Sequence, residues 1–187
     1  MPKGKIIYLE GVSSAGKTSL AKALQARLAE PFFWLAGDMF WDMAPKKFVN
    51  DMDAIFPKID AATVNTIRLF SDLGIDVIVD IVPVNISGSM GKFVRALHDC
   101  PVLYVHVTCP LEELRRREKE RGDRQVGQGE SQLAWISPQG AYDIIVDTYK
   151  NSSEECADKI IELLNCPEKF NAFKNLWLRQ EREGCST

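Results

Sequence analysis

The chain has 187 residues, of which 45% are hydrophobic and 26% are charged, and its formal net charge is −3. This length and composition predict one soluble globular domain with a full core, and no apolar run approaches the ~18 residues that span a bilayer, which argues against a membrane partner. The mildly acidic balance also argues against nucleic acid as a partner, because phosphate neutralisation needs clustered Lys and Arg.

Short apolar runs alternate with helical patterns along the chain, which predicts parallel βαβ units. The predicted strands cover residues 5–10, 32–36, 76–79, 101–107 and 142–146, and the predicted helices cover residues 18–30, 60–73, 87–98, 110–121 and 152–164. An added C-terminal helix is expected at about 168–183. Its apolar face is predicted to pack on its own domain, with a subunit contact, and hence a homo-oligomer, as the alternative.

Ligands of such sheets bind beyond the carboxyl ends of the strands. The residues that directly follow each predicted strand are therefore the candidates for chemistry. They are residues 11–17, Gly37, Asp38, Asp80, Thr108, Cys109, Asp147 and Thr148.

One of these segments, GVSSAGKT at residues 11–18, fits the pattern GxxxxGK[ST] between a strand and a helix. Its glycines let the backbone curl so that successive N–H groups face phosphate oxygens, and the helix N-terminus adds its positive end. Lys17 is predicted to bridge the β- and γ-phosphates, and the Thr18 hydroxyl to bind Mg²⁺. An ordinary Gly-containing turn is the alternative. The predicted nucleotide-binding residues are Gly11, Val12, Ser13, Ser14, Ala15, Gly16, Lys17, Thr18 and Ser19.

Two acidic residues at strand ends are candidates for roles near a bound nucleotide. A carboxylate at Asp38 could take the proton of an acceptor hydroxyl during transfer, or it could cap a short helix that starts at Met39. Asp80 stands where a magnesium-supporting aspartate belongs, or it could belong to a capped turn.

The segment EELRRREKERGDR at residues 112–124 predicts an arginine lid, which we extend to about residues 117–137. Arg117 and Arg121 are four residues apart and share a helix face, and Arg124 follows in a stretch rich in Gly, Gln and Ser that we expect to be flexible. Arginines above a triphosphate would neutralise the transferring group, and a closing lid would exclude water. A solvated, salt-bridged helix is the alternative.

Cysteine usage predicts the compartment rather than a site. The five cysteines are scattered, and together with two histidines they show no zinc spacing. The first residues run directly into a strand, which leaves no room for a signal peptide. These features predict reduced thiols and a cytoplasmic location.

The combination of motifs resembles the chloramphenicol phosphotransferase-like proteins, within the adenylate- and shikimate-kinase group of P-loop kinases. The resemblance rests on GVSSAGKTSL, the Gly37–Asp38 turn, VIVD at residues 77–80, the ERGDR ending and YDIIVDT at residues 142–148, and it covers roughly residues 6–164. Two positions depart from the family's pattern and bear on the acceptor. Ile81 replaces a second acid, and Ser137 replaces a histidine.

The resemblance implies a three-layer P-loop NTPase fold, whose five-stranded parallel sheet has the order 2-3-1-4-5, helices on both faces and a short arginine lid. It implies ATP with Mg²⁺ and places arginines near the phosphates. The catalytic residues that we predict are Asp38, Lys17, Arg121 and Arg124. Arg117 and Arg121 are predicted to contact the nucleotide, and Thr18 and Asp80 to hold the metal.

Three functions agree with these patterns. The first is transfer of the γ-phosphoryl group to a hydroxyl of a small molecule, which for this family includes antibiotics such as chloramphenicol. The second is a nucleoside or nucleotide kinase, in which Arg68 or Arg95 would bind the acceptor phosphate. The third is a nucleotide-binding regulator without a small acceptor.

Overall fold

A computed structural model describes residues 2–45, 47, 51–82, 89–122, 125–136 and 142–184. Its five strands form one all-parallel sheet in the order β2-β3-β1-β4-β5, so the predicted fold class is confirmed. The strands are β1 (Ile6–Glu10), β2 (Phe33–Ala36), β3 (Val77–Ile81), β4 (Val102–Thr108) and β5 (Ile144–Asp147).

The helices cover both faces of this sheet and bury two apolar layers. They are α1 (Lys17–Arg27), α2 (Asp38–Asp42), α3 (Met52–Asp72), α4 (Ser89–Leu97), α5 (Leu111–Arg121), α6 (Gln128–Gln132), α7 (Ser153–Leu164) and α8 (Ala172–Gly184). Helices α1 and α7 pack against one layer, and α3, α4 and α8 pack against the other.

The central strand β1 explains why the sheet needs cover on both sides. All five of its residues are buried. Side chains alternate between the faces of a strand, so Ile7 and Leu9 enter the layer under α1, whereas Ile6 and Tyr8 enter the layer under α3. Because both faces of β1 are covered, its sequence is a nearly continuous apolar run rather than an alternation of apolar and polar residues.

Several predicted boundaries differ from the structure. Thr108 and Asp147, which were predicted to follow strands, are the last residues of β4 and β5. Helix α3 begins at Met52, eight residues before the predicted start, and continues through Pro57. Strand β3 extends to Ile81, so Asp80 lies within the strand and not after it. The stretch predicted to be flexible after α5 contains the short helix α6.

The C-terminal helix packs on its own chain, as predicted, although it starts at Ala172 after a 3-10 turn at Pro167–Lys169. Ala172 and Phe173 are buried in the α3-side layer, and Leu176 and Trp177 pack against it. The Asp143 carboxylate accepts hydrogen bonds from the first backbone N–H groups of this segment at 2.9 and 3.0 Å. The single-domain division and the oligomeric state stay predictions. Within the described ranges, no helix is long and apolar enough to cross a membrane.

Candidate active site

The turn between β1 and α1 has the curled backbone that the sequence motif predicts. Ser14 and Gly16 adopt left-handed conformations, with φ of 64° and 94°, and the Ala15 N–H donates to the Val12 carbonyl at 3.2 Å. A Cβ at Gly16 would lie 3.2 Å from the Thr148 side chain, so both the conformation and the space favour glycine. The buried Ser14 hydroxyl has no hydrogen-bond partner among the described residues and remains a donor for a ligand.

Lys17, Thr18 and Asp80 meet at the base of this loop. The Thr18 hydroxyl donates to Asp80 Oδ2 at 2.8 Å. The Lys17 ammonium donates to the Val12 carbonyl at 3.1 Å and lies 3.9 Å from Asp80 Oδ1. Lys17 and Asp80 are 6% and 7% exposed. The two predicted metal-binding residues are therefore in direct contact, beside the predicted phosphate-binding lysine.

A cleft of about 400 Å³ opens above these residues. Six of the nine predicted loop residues line it, whereas Val12 and Ala15 are buried in the α1-side layer. A Cβ at Gly11 would lie 2.4 Å from the Val107 carbonyl oxygen, so this glycine permits close packing against β4. The residues that line the cleft are Ser13, Ser14, Gly16, Lys17, Thr18, Ser19, Ala36, Gly37, Asp38, Asp80, Val82, Arg117, Glu120, Arg121, Thr148 and Ser153.

Asp38 forms part of the cleft wall on the β2 side. The Gly37 N–H donates to the Asp80 carbonyl at 2.8 Å, which fixes the β2–α2 turn to β3. Helix α2 begins at Asp38 itself with Gly37 as its N-cap residue, so Asp38 is not the capping residue that the alternative interpretation required. This turn brings its carboxylate to the same cleft as Lys17.

Arg117 contacts the phosphate loop from the opposite side. Its guanidinium donates to the Ser14 carbonyl at 3.3 Å and to the Thr148 hydroxyl and carbonyl at 3.0 Å each. The Thr148 hydroxyl in turn donates to the Ala15 carbonyl at 2.7 Å. The solvated-helix alternative therefore does not describe Arg117. In this state Arg117 braces the loop, which adds a structural role to the predicted nucleotide contact.

Of the two remaining lid arginines, Arg121 lines the cleft, and Arg124 lies outside the described residues. Helix α6 follows and docks onto the phosphate loop. The buried Gln132 side chain accepts the Ser13 N–H at 2.6 Å, and Gly129 lies so close to the Ser13 carbonyl that an added Cβ would be 2.8 Å from its oxygen.

The N-terminus of α6 is held by Glu118, which is 1% exposed. Its two oxygens accept the N–H groups of Gly127 and Gly129, each at 2.7 Å. We expect Glu118→Gln to destabilise the fold by about 1–3 kcal/mol, because the amide turns one of these acceptors into a donor that faces an N–H group. Denaturant unfolding measures the loss. The exposed Glu112→Gln on the same helix serves as the control, and equal stability of both variants would contradict this role.

Glu113 supports Arg117 from within α5. Hydrogen bonds from Arg116 and then Arg117, at 2.7 Å, lower the pKa of the Glu113 carboxyl from 4.5 to about 2. A carboxyl with a lowered pKa in the folded state stabilises that state above its unfolded pKa. We therefore expect folding stability to fall as the pH drops from about 4.5 to about 2. In Glu113→Gln, unfolding measured across this range should depend less on pH, and an unchanged slope would contradict the assignment.

Sequence reasoning missed the role of Glu118, because a glutamate in a charged helix resembles any solvated side chain. Nothing in the local sequence of Gln132 indicates a contact with the phosphate loop. The rule about strand ends also does not select Glu10, a buried charge that ends the otherwise apolar strand β1 rather than following it.

A curled phosphate loop, a buried lysine at its base and a parallel sheet of order 2-3-1-4-5 define a P-loop kinase. The chain belongs to the chloramphenicol phosphotransferase-like protein family, whose profile matches residues 4–165. The family prediction made from the motifs is thereby confirmed, and with it the class of phosphotransferase.

Relatives agree with this assignment. A Mycobacterium tuberculosis H37Rv protein named "Putative O-phosphotransferase" is 31% identical over 206 aligned positions, which cover 95% of this chain and 91% of the relative. Among solved structures, the Mycobacterium tuberculosis APS kinase CysC in complex with AMPPNP and APS has a TM-score of 0.64 at 18% identity, covering 88% of this chain and 99% of that one. Shikimate kinase from Acinetobacter baumannii has a TM-score of 0.65 at 16% identity, covering 88% and 95%. At these identities the structural likeness shows the fold.

Proposed function

We propose that the chain transfers the γ-phosphoryl group of ATP to a hydroxyl of a small molecule. The observation that carries this proposal is the position of Asp38 in the wall of the same cleft as the phosphate loop. A carboxylate there faces the region where an acceptor must approach the γ-phosphate. The solved complex of APS kinase with AMPPNP, an ATP analogue, supports an adenine nucleotide as the donor.

The transfer step follows from the residues around this cleft. Asp38 accepts the proton of the acceptor hydroxyl while the oxygen of that hydroxyl forms a bond to the γ-phosphorus. At the same time, the bond between this phosphorus and the bridging oxygen of ADP breaks. Lys17 and Arg121 neutralise the charge on the transferring group. Arg117 keeps the loop in place through Ser14 and Thr148.

The residues at the base of the loop fit Mg²⁺. Thr18 and Asp80 supply oxygen atoms, which this ion prefers, and their contact at 2.8 Å shows that both reach one point. Bound there, Mg²⁺ would offset the negative charge of the phosphates. Within the described ranges there is no cluster of three or more His, Cys, Asp or Glu side chains suited to a metal. A nucleotide-bound magnesium does not require one, because phosphates and water complete its coordination.

The structure argues against the version of the nucleotide-kinase alternative that relies on Arg68. Its guanidinium donates to Asp72 at 2.8 Å and to Asp99 at 2.7 Å, and Asp99 also binds Lys3 just before β1. This cluster lies at the amino-terminal edge of the sheet, opposite the cleft. Arg95, in the last turn of α4, precedes β4 and therefore belongs to the same edge.

A coupled assay of ADP release tests the proposal over a panel of acceptors. The panel contains chloramphenicol and glucose as neutral compounds, glucosamine as a cationic one, and shikimate and AMP as anionic ones. We expect at least one hydroxylated compound to accelerate ADP release at least tenfold over the rate with ATP and water alone. ADP release that no panel member accelerates would contradict acceptor phosphorylation and favour a nucleotide-binding regulator.

A further inference from the structure

A second buried polar group lies next to the phosphate loop, on the face of the sheet that α3, α4 and α8 cover. It centres on Glu10, the last residue of β1, which pairs in the sheet with Ile81 of β3 and His106 of β4. The next residue, Gly11, opens the phosphate loop. Glu10 is 1% exposed. A carboxylate is thus held inside the protein at the carboxyl edge of the sheet, where ligands of this fold bind.

Glu10 lies on the other side of the sheet from the nucleotide-binding pair. Asp80 pairs with Leu9, one position earlier in β1, and neighbouring positions in a strand face opposite sides. Asp80 therefore faces Lys17 and α1, whereas Glu10 faces the layer that contains Tyr104 and contacts Tyr142. Glu10 therefore lies next to the phosphate loop, on the side of the sheet away from the Lys17–Asp80 pair.

Two atoms of this group have unused hydrogen-bonding capacity. Glu10 Oε1 and His106 Nδ1 are buried and lack a partner among the described residues. The other Glu10 oxygen accepts the Tyr142 hydroxyl, and the Tyr142 ring stacks on His106 with 4.7 Å between centroids. An unpaired buried polar group destabilises the folded state, and more so when it is charged. Groups kept at such a cost are candidates for function.

The electrostatics of the group limit what could bind there. Desolvation raises the pKa of Glu10, opposed by the hydrogen bond from Tyr142, by the nearby Tyr104 hydroxyl and by the charge of Lys17. Desolvation lowers the pKa of His106, which keeps its imidazole neutral near pH 7. After desolvation, the charges of Glu10 and Asp60 further raise the pKa of Tyr8, so two carboxylates act on this region. Another negative charge would be repelled here, whereas a donor would pair with Oε1.

We propose that Glu10 binds the acceptor through Oε1, and that it selects acceptors that present a hydroxyl or ammonium donor and carry no negative charge at this position. Tyr142 is a positioning residue, because it holds the other carboxylate oxygen and covers His106. The inference rests on the proposed phosphotransfer and assigns it an acceptor class. It predicts that chloramphenicol, glucose or glucosamine exceeds shikimate and AMP in the ADP-release panel.

The variant Glu10→Gln tests this assignment, because it keeps the side-chain length and removes the charge. In Glu10→Gln, we expect the KM for the best panel acceptor to rise at least tenfold, whereas the KM for ATP should stay within twofold of the parent value. A larger rise for glucosamine than for a neutral acceptor would identify the donor as an ammonium. Tyr142→Phe should raise the acceptor KM less than Glu10→Gln, since Oε1 remains.

The melting temperature distinguishes a role of Glu10 in acceptor binding from a purely structural role. Removal of a buried charge with an unpaired oxygen should raise the melting temperature of Glu10→Gln, whereas the exposed Glu162→Gln should change neither stability nor KM. A lower melting temperature with an unchanged acceptor KM would overturn the inference, and so would shikimate or AMP as the best acceptor. If no panel member accelerates ADP release by the parent chain, it is the proposed phosphotransfer that fails.

Discussion

Replacement of Lys17 by Met is expected to lower kcat/KM for phosphoryl transfer by about 10²–10³-fold, the loss typical when one donor to a developing negative charge is removed. The Lys17 ammonium already lies at the loop, 3.1 Å from the Val12 carbonyl. A bound triphosphate would offer it a stronger, charged partner. Met retains the aliphatic stem of a side chain that is 6% exposed, so the variant isolates the charge rather than creating a cavity.

The matched control for this prediction is Lys22→Met, a change in the same helix at an exposed position. Steady-state ADP release with the best acceptor gives kcat/KM, and calorimetry with ATP and Mg²⁺ gives nucleotide affinity. Both should fall in Lys17→Met and stay at the parent value in Lys22→Met. Equal turnover in the two variants would remove Lys17 from the phosphate site and, with it, the central assignment of the loop.

The nucleotide side of the site was predictable because its chemistry is local in sequence. Nine consecutive residues form the loop, and their spacing carries the backbone geometry that binds phosphate. The parallel sheet was predictable for a similar reason, since each strand is a short apolar run and the runs alternate with helical patterns. Asp80 was added from another strand by the rule about strand ends, and Arg117 and Arg121 were added from the arginine-rich helix.

The errors have a different origin, since they involve structure that tertiary contacts maintain. Helix α3 was predicted too short because Pro57 and the residues around it weaken the helical pattern. The structure carries the helix across Pro57 and caps it at Asp51, whose side chain accepts the Ala54 N–H at 3.3 Å. Helix α6, QGESQ, has only five residues and contains a glycine, so it is too short to be stable alone. It forms where Glu118 and Gln132 tie it to the rest of the protein.

Glu10 shows that contacts between distant residues also limit what the sequence predicts about function. Its chemistry depends on His106 and Tyr142, which lie 96 and 132 residues away in the chain, so no local motif marks it. The acceptor side of the proposed site is assembled from distant strands, whereas the donor side is encoded in one loop. Sequence motifs therefore predict the donor more readily than the acceptor in this chain.

Replacement of Asp38 by Asn is expected to lower kcat by about 10²–10⁴-fold, the contribution typical of a general base, while ATP affinity stays close to the parent value. The amide has nearly the same shape as the carboxylate and can still accept a hydrogen bond from the acceptor hydroxyl. It cannot take the proton at neutral pH. Single-turnover phosphorylation and calorimetry with ATP and Mg²⁺ separate the two effects, because a base contributes to the chemical step and not to nucleotide binding.

The matched control is Asp42→Asn, at the exposed last position of the same short helix, which should leave both measurements unchanged. Unaltered kcat in Asp38→Asn would show that the acceptor hydroxyl loses its proton without this carboxylate. Loss of ATP affinity equal to the loss of kcat would instead indicate that Asp38 supports the nucleotide side through the Gly37–Asp80 hydrogen bond. Only a selective loss of kcat assigns proton transfer to Asp38, because Lys17 and Asp38 line one cleft yet act on opposite partners of the reaction.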